Sequence, residues 1–180
     1  MNTNFSKKNL LRFLLALSVA SPAIFPINAA NSQTALSALE LFYNDQRGDN
    51  FTTATDAGRN DAAGAMYNDI RVEGCAFLRQ RQGTVPLYLY YSDARGDNFT
   101  TATQAGINDA VGSGYNRIRI EGYVFPSPRQ GTVPLYLYYS NARGDNFTTA
   151  TQAGINDAVG SGYNRIRIEG YVYPRSRCSV

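Results

Sequence analysis

Between residues 85 and 92 apolar and aromatic side chains alternate, with Leu87, Leu89 and Tyr91 on one face and Tyr88 and Tyr90 on the other. This two-residue period is that of a β-strand. Asp93 to Asp97 reads as a turn in which Gly96 supplies a positive φ. Phe99, Thr101 and Thr103 share one face of a second strand, and Thr103 is placed to cap a short helix over 104–111. Ile107, Ala110 and Val111 form the apolar face of that helix, and Gly112 and Gly114 end it. Arg117, Arg119 and Glu121 then alternate with Ile118 and Ile120 in a third strand. Gly122 marks a break or bulge, and Tyr123 to Phe125 form a fourth short strand. Pro126 and Pro128 lie in a linker, and Pro134 opens the next strand.

The pattern then repeats. Residues 133–173 reproduce 85–125 at an offset of 48, with only Asp93 replaced by Asn141 and Phe125 by Tyr173. Residues 37–77 fit the same frame more loosely, but the run from Arg47 to Thr55 is identical to those from Arg95 and Arg143. One such unit cannot bury its own apolar face, whereas three in series can close around a pseudo-threefold axis. The expectation is a single domain, 31–180, of three repeats (37–84, 85–132 and 133–180). Its fold class is all-β with short helices, and four strands per unit predict a β-trefoil-like ring. A stacked solenoid is the alternative. It needs distinct polar caps, and the second and third copies show none.

The first thirty residues read differently. Lys7, Lys8 and Arg12 precede a short apolar run, Phe13 to Ala20, and small residues end at Ala30. This is the pattern of a secretory signal peptide, so residues 1–30 are set apart from the fold and the protein is expected to be secreted or periplasmic. The whole chain has 17 basic and 14 acidic residues. Without Lys7, Lys8 and Arg12 the balance is 14 against 14, which removes the electrostatic case for nucleic acid or an anionic membrane as partner. No membrane span is expected either. The chain contains no His, which excludes imidazole-based acid–base catalysis, His-activated nucleophiles and imidazole metal sites. No metal or other cofactor is expected. Cys75 and Cys178, one in the first unit and one after the last, are expected to form a disulfide that locks the ring and contributes about 4–5 kcal/mol in the chain-entropy model.

Pro86-Leu87-Tyr88, Gly96-Asp97-Asn98-Phe99-Thr100-Thr101 and Glu121-Gly122-Tyr123-Val124 resemble a repeat of secreted proteins catalogued only as being of unknown function. Its pattern runs Pro-Leu-Tyr-x-x-Tyr, Gly-Asp-His-Phe-Tyr-Thr, a short helix, then Glu-Gly and an aromatic strand. Such repeats are often appended to extracellular hydrolases, and the resemblance implies an accessory or binding role. The family's His is Asn here, at Asn50, Asn98 and Asn146.

Chemistry concentrates in the turn that all three units share. Asp49, Asn50, Asp97, Asn98, Asp145 and Asn146 can bridge sugar hydroxyls, with Tyr90 and Tyr138 offering flat apolar faces to a ring. Against this stands turn capping, the commoner use of Asp and Asn. The Arg-Gly-Asp triplets in these turns are read as turn chemistry rather than as adhesion motifs, and Asn50-Phe-Thr, Asn98-Phe-Thr and Asn146-Phe-Thr as formal glycosylation sequons only. Arg117, Arg119 and Glu121 are read as a solvated strand face with weak ion pairs. Glu73, Glu121 and Glu169 recur once per unit, and triplication suits a binding site better than a catalytic centre. The function expected is therefore a monomeric, non-catalytic, lectin-like module that binds an extracellular glycan through up to three equivalent sites. The alternatives are a secreted inhibitor or toxin-like protein and a structural surface or matrix component.

Overall fold

A computed structural model describes residues 36–178, so the leader assigned to residues 1–30 lies outside the described residues. Each unit runs strand, strand, helix, strand. The first comprises β1 (Leu36–Asn44), β2 (Asp49–Thr53), α1 (Asp56–Gly64) and β3 (Asn68–Phe77). The second comprises β4 (Val85–Ser92), β5 (Asp97–Thr101), α2 (Gln104–Gly112) and β6 (Asn116–Val124). The third comprises β7 (Val133–Ser140), β8 (Asp145–Thr149), α3 (Gln152–Gly160) and β9 (Asn164–Val172). The described residues are mostly strand, with three short α-helices, as the patterning predicts. The caps are also where the sequence places them: Thr55, Thr103 and Thr151 each accept from the backbone N–H three residues on.

The strand count is a correction. There are three strands per unit rather than four, because Arg117–Glu121 and Tyr123–Val124 belong to one continuous β6. Two bulges mark it instead. Leu87 pairs with Gly122 and Tyr88 with Ile120, so Glu121 is an extra residue; Leu89 pairs with Arg119 and Tyr90 with Arg117, so Ile118 is another. The same shifts occur in the other two units. A bulge re-aims the side chain it carries. Here it sends Glu73, Glu121 and Glu169 into a neighbouring unit and leaves Ile70, Ile118 and Ile166 exposed.

The three long strands meet at one end and close a ring. Phe77 pairs with Tyr123, Phe125 with Tyr171, and Cys75 with Tyr173, each across a boundary between units. This approach needs Gly122: a Cβ there would lie 3.1 Å from the Phe77 carbonyl oxygen and from the Ala76 methyl. Cys75 and Cys178 form the expected disulfide, with Cα atoms 5.4 Å apart, at the seam between the first and last units.

β2, β5 and β8 touch one another and are buried at every position. Threefold layers follow one another through the interior. Leu39, Leu87 and Leu135 pack with Ala76, Val124 and Val172 in an apolar layer. Next comes a ring in which the hydroxyls of Thr52, Thr100 and Thr148 donate to the backbone carbonyls of Thr148, Thr52 and Thr100. A ring of Asp and Asn then lies toward the turns. Among the described residues no helix is long and apolar enough to cross a membrane.

Candidate functional site

All eight side chains expected to bind ligand are buried. Asp49, Asp97 and Asp145 are at most 3% exposed and have carboxylate oxygens within 4.8 Å of one another. Each carboxylate is fully engaged by its surroundings. Asp49 accepts the backbone N–H of Asn98 at 3.1 Å, its side-chain amide at 2.8 Å, and the Tyr67 hydroxyl. Asp97 holds Asn146 and Tyr115 in the same way, and Asp145 holds Asn50 and Tyr163, so the ring runs from unit to unit and closes. These Arg-Gly-Asp turns therefore do not present their Asp. The three sequon amides donate inward. Tyr90 and Tyr138 are corrections too. They lie under α2 and α3 against Phe99 and Ala110, and against Phe147 and Ala158, so their faces are not open to a sugar. A helix over that face of the sheet is what the strand pattern alone leaves out.

Burial and the neighbouring Asp145 carboxylate push Asp49 up to about 7 and Asp97 up to about 10, because charge is disfavoured in a dry cluster of like charges. Burial and the adjacent carboxylates raise the Tyr67, Tyr115 and Tyr163 hydroxyls above the usual phenol range.

Three corresponding cavities open between units, directly outside this ring. That between the second and third units has a volume of about 270 Å³ and is lined by Arg95, Asp109, Ser113, Tyr139, Asn146 and Ile166, among others. Its counterpart between the third and first is also about 270 Å³, with Arg143, Asp157, Ser161, Tyr43, Asn50 and Ile70. Between the first and second the volume is about 310 Å³, with Arg47, Asp61, Ala65, Tyr91, Asn98 and Ile118. Of the expected ligand residues, only Asn50, Asn98 and Asn146 reach these cavities.

The turn Arg forms one wall. Arg47, Arg95 and Arg143 lie 5.7–5.9 Å from the ring centroids of Tyr67, Tyr115 and Tyr163, within cation–π range. Arg143 also donates to the Tyr43 hydroxyl at 3.2 Å across the unit boundary. The facing wall carries an ion pair between units: Arg167 with Asp109, Arg71 with Asp157 and Arg119 with Asp61, each at 2.6 Å. These Arg, Asp and Tyr residues escape a reading by sequence because they come together only across a boundary. The one signal was the Arg in the turn shared by all copies.

The same arginines reach the buried glutamates. Arg119 Nε donates to Glu121 at 2.6 Å, while Glu121 accepts the hydroxyls of Thr53 and Thr55 at the start of α1. Glu169 stands in the same relation to α2 and Glu73 to α3. Of the row expected to be a solvated face, Arg117 is exposed, but Arg119 and Glu121 form an interface, and Glu121 is fully buried. It faces the positive end of a neighbour's helix.

A family model matches residues 39–173, spanning all three units. The chain belongs to the family described as a domain of unknown function, DUF5648. No curated protein and no solved structure matches the chain. The family match covers the closed ring and its three cavities as one block.

Proposed function

We propose that this DUF5648 chain is an exported, non-catalytic module that binds neutral faces of an extracellular glycan in its three cavities. The observation that carries this reading is the threefold recurrence of one chemistry at the unit boundaries. A half-buried Tyr and an exposed Ile supply an amphipathic wall for a pyranose. The Arg–Asp pair and the Asn supply donors and acceptors for adjacent hydroxyls. Cavities of this size suit a monosaccharide end or one residue of a chain. Weak single sites gain from being three on one monomer. The disulfide and the leader pattern support an oxidising, exported setting. The non-catalytic reading rests on the absence of His and on the engagement of the recurrent acids by Arg, Thr and Asn. The trefoil-like description is retained for its pseudo-threefold closure, with three strands and a helix per unit in place of four strands.

The test is a glycan array followed by calorimetric titration of the disulfide-intact protein with the sugar that scores highest. Three sites per chain are expected. Replacing Tyr43, Tyr91 and Tyr139 together by Ala should abolish binding while the fold persists by circular dichroism. No sugar bound, or binding untouched by those changes, overturns the reading. One-to-one capture of a protein instead favours the inhibitor alternative.

A further inference from the structure

The end of the ring opposite the turns carries a second feature that the cavities do not use. Phe77, Phe125 and Tyr173, one per unit, sit edge to face with centroids 5.7, 6.0 and 6.1 Å apart, and all three are half-exposed. Over each ring lies the Arg four residues further on: Arg81 at 5.8 Å, Arg129 at 5.8 Å and Arg177 at 5.4 Å. Arg129 also reaches across to the first connection, where its Nη2 is 3.4 Å from the position of a Cβ on Gly83. The segments concerned, 78–84, 126–132 and 174–178, add the exposed Arg79 and Arg175 and contain no acidic residue. The acid that shares a cavity with Arg175, Glu40, is held by Arg59 at 2.7 Å. Among the described residues none of Arg81, Arg129 and Arg177 is in an ion pair. Beyond residue 30 basic and acidic residues balance, yet five of the fourteen arginines are segregated at this pole.

We propose that this pole is a separate binding site for an acidic polysaccharide, one bearing carboxylate or sulfate groups. A guanidinium over an aromatic ring, with no carboxylate partner, keeps its N–H groups free to fork onto a carboxylate or sulfate, and the ring limits the side-chain freedom lost on binding. The aromatic hub between the arginines offers an apolar floor of sugar size. A membrane surface fits less well. Bilayer insertion takes protruding apolar side chains, and of the three connections only the first has an exposed aliphatic one, Leu78. Net charge hid this site, since a balanced total says nothing about segregation.

The test measures binding of the disulfide-intact protein to polygalacturonate and to dextran sulfate at about 0.1 M salt. Neutral dextran, anionic phosphatidylserine vesicles and single-stranded DNA serve as comparisons. Both acidic polysaccharides should bind, progressively less tightly as salt rises. Changing Arg81, Arg129 and Arg177 together to Gln should weaken binding about tenfold or more with the melting temperature kept. Changing Arg117 and Arg165 together to Gln, both exposed and outside the cavities and this pole, should leave it within about twofold. Absence of polysaccharide binding, equal loss in the two variants, or tighter binding to vesicles or DNA than to either polysaccharide overturns the proposal.

Discussion

Glu121 of the second unit is bound to Thr55, the residue that caps the helix of the first, through a 2.7 Å hydrogen bond from the Thr hydroxyl to its Oε2. The contact joins a bulged strand to a neighbour's helix terminus. It recurs between Glu169 and Thr103 and between Glu73 and Thr151, so each boundary between units is held by a buried carboxylate. Its other oxygen accepts Arg119, which in turn pairs with Asp61 of the first unit.

Removal of one such carboxylate leaves Arg119 paired only with the exposed Asp61 and strands the buried Thr53 hydroxyl beside the half-buried Thr55. Glu121→Ala is therefore expected to destabilise the protein by about 3 kcal/mol, the low end of the range for a broken buried pair. Glu121→Gln, which keeps the volume and one acceptor, should cost less. The midpoint of urea unfolding for the two variants checks this. A loss below about 1 kcal/mol for Glu121→Ala, the range of an exposed pair, would show that the boundary does not depend on the buried charge.

The fold was largely legible because its determinants are local. Alternation marks the first strand of each unit, Thr103 caps its helix, and Gly96, at φ 66°, makes the turn. The repeat spacing and the two Cys pointed to ring closure. What sequence alone did not reveal lies between units. Glu121 and Ile118 follow strand alternation in the sequence, and only the pairing partner shows that each is an inserted residue. Asp97 has the composition of a surface turn, yet its neighbours are Asn146 and Asp145 from the next unit. Repetition showed that the turn matters. It could not distinguish a ring of identical contacts at the axis from a set of identical sites at the surface, because threefold closure demands the first as strongly as binding would favour the second.

The Asp ring predicts an unusual dependence on pH. Asp49 and Asp97 have folded-state values raised to about 7 and about 10, against 3.8 for the free side chain. In that interval the folded state holds protons that the unfolded state has released, so stability falls as pH rises. The contribution is fully present below about pH 4 and is lost progressively above it, the loss being complete past about 7 for Asp49 and about 10 for Asp97. The melting temperature should therefore be higher at pH 5 than at pH 9. Asp97→Asn, which cannot ionise, should flatten that slope at the cost of weaker acceptors for Asn146 and Tyr115. A melting temperature that rises from pH 5 to pH 9 would contradict the ring electrostatics.

The three cavities are not chemically equal, and this gives the sharpest test of the binding site. Ser113 and Ser161 line two of them, while Ala65 occupies the corresponding place in the third. A hydroxyl that bonds a sugar contributes about 0.5–1.5 kcal/mol net, or roughly a two- to tenfold change in affinity. Titration of a monovalent sugar should resolve two tighter sites and one weaker. Ala65→Ser should bring the third up to the others, and the paired change Ser113→Ala, Ser161→Ala should bring the two down to the third. Each substitution is small and lies at the mouth of a cavity, so the melting temperature should move little. If sugar binds with three equal affinities that none of these changes alters, the ligand does not occupy the cavities at the unit boundaries, and the site lies elsewhere on the ring.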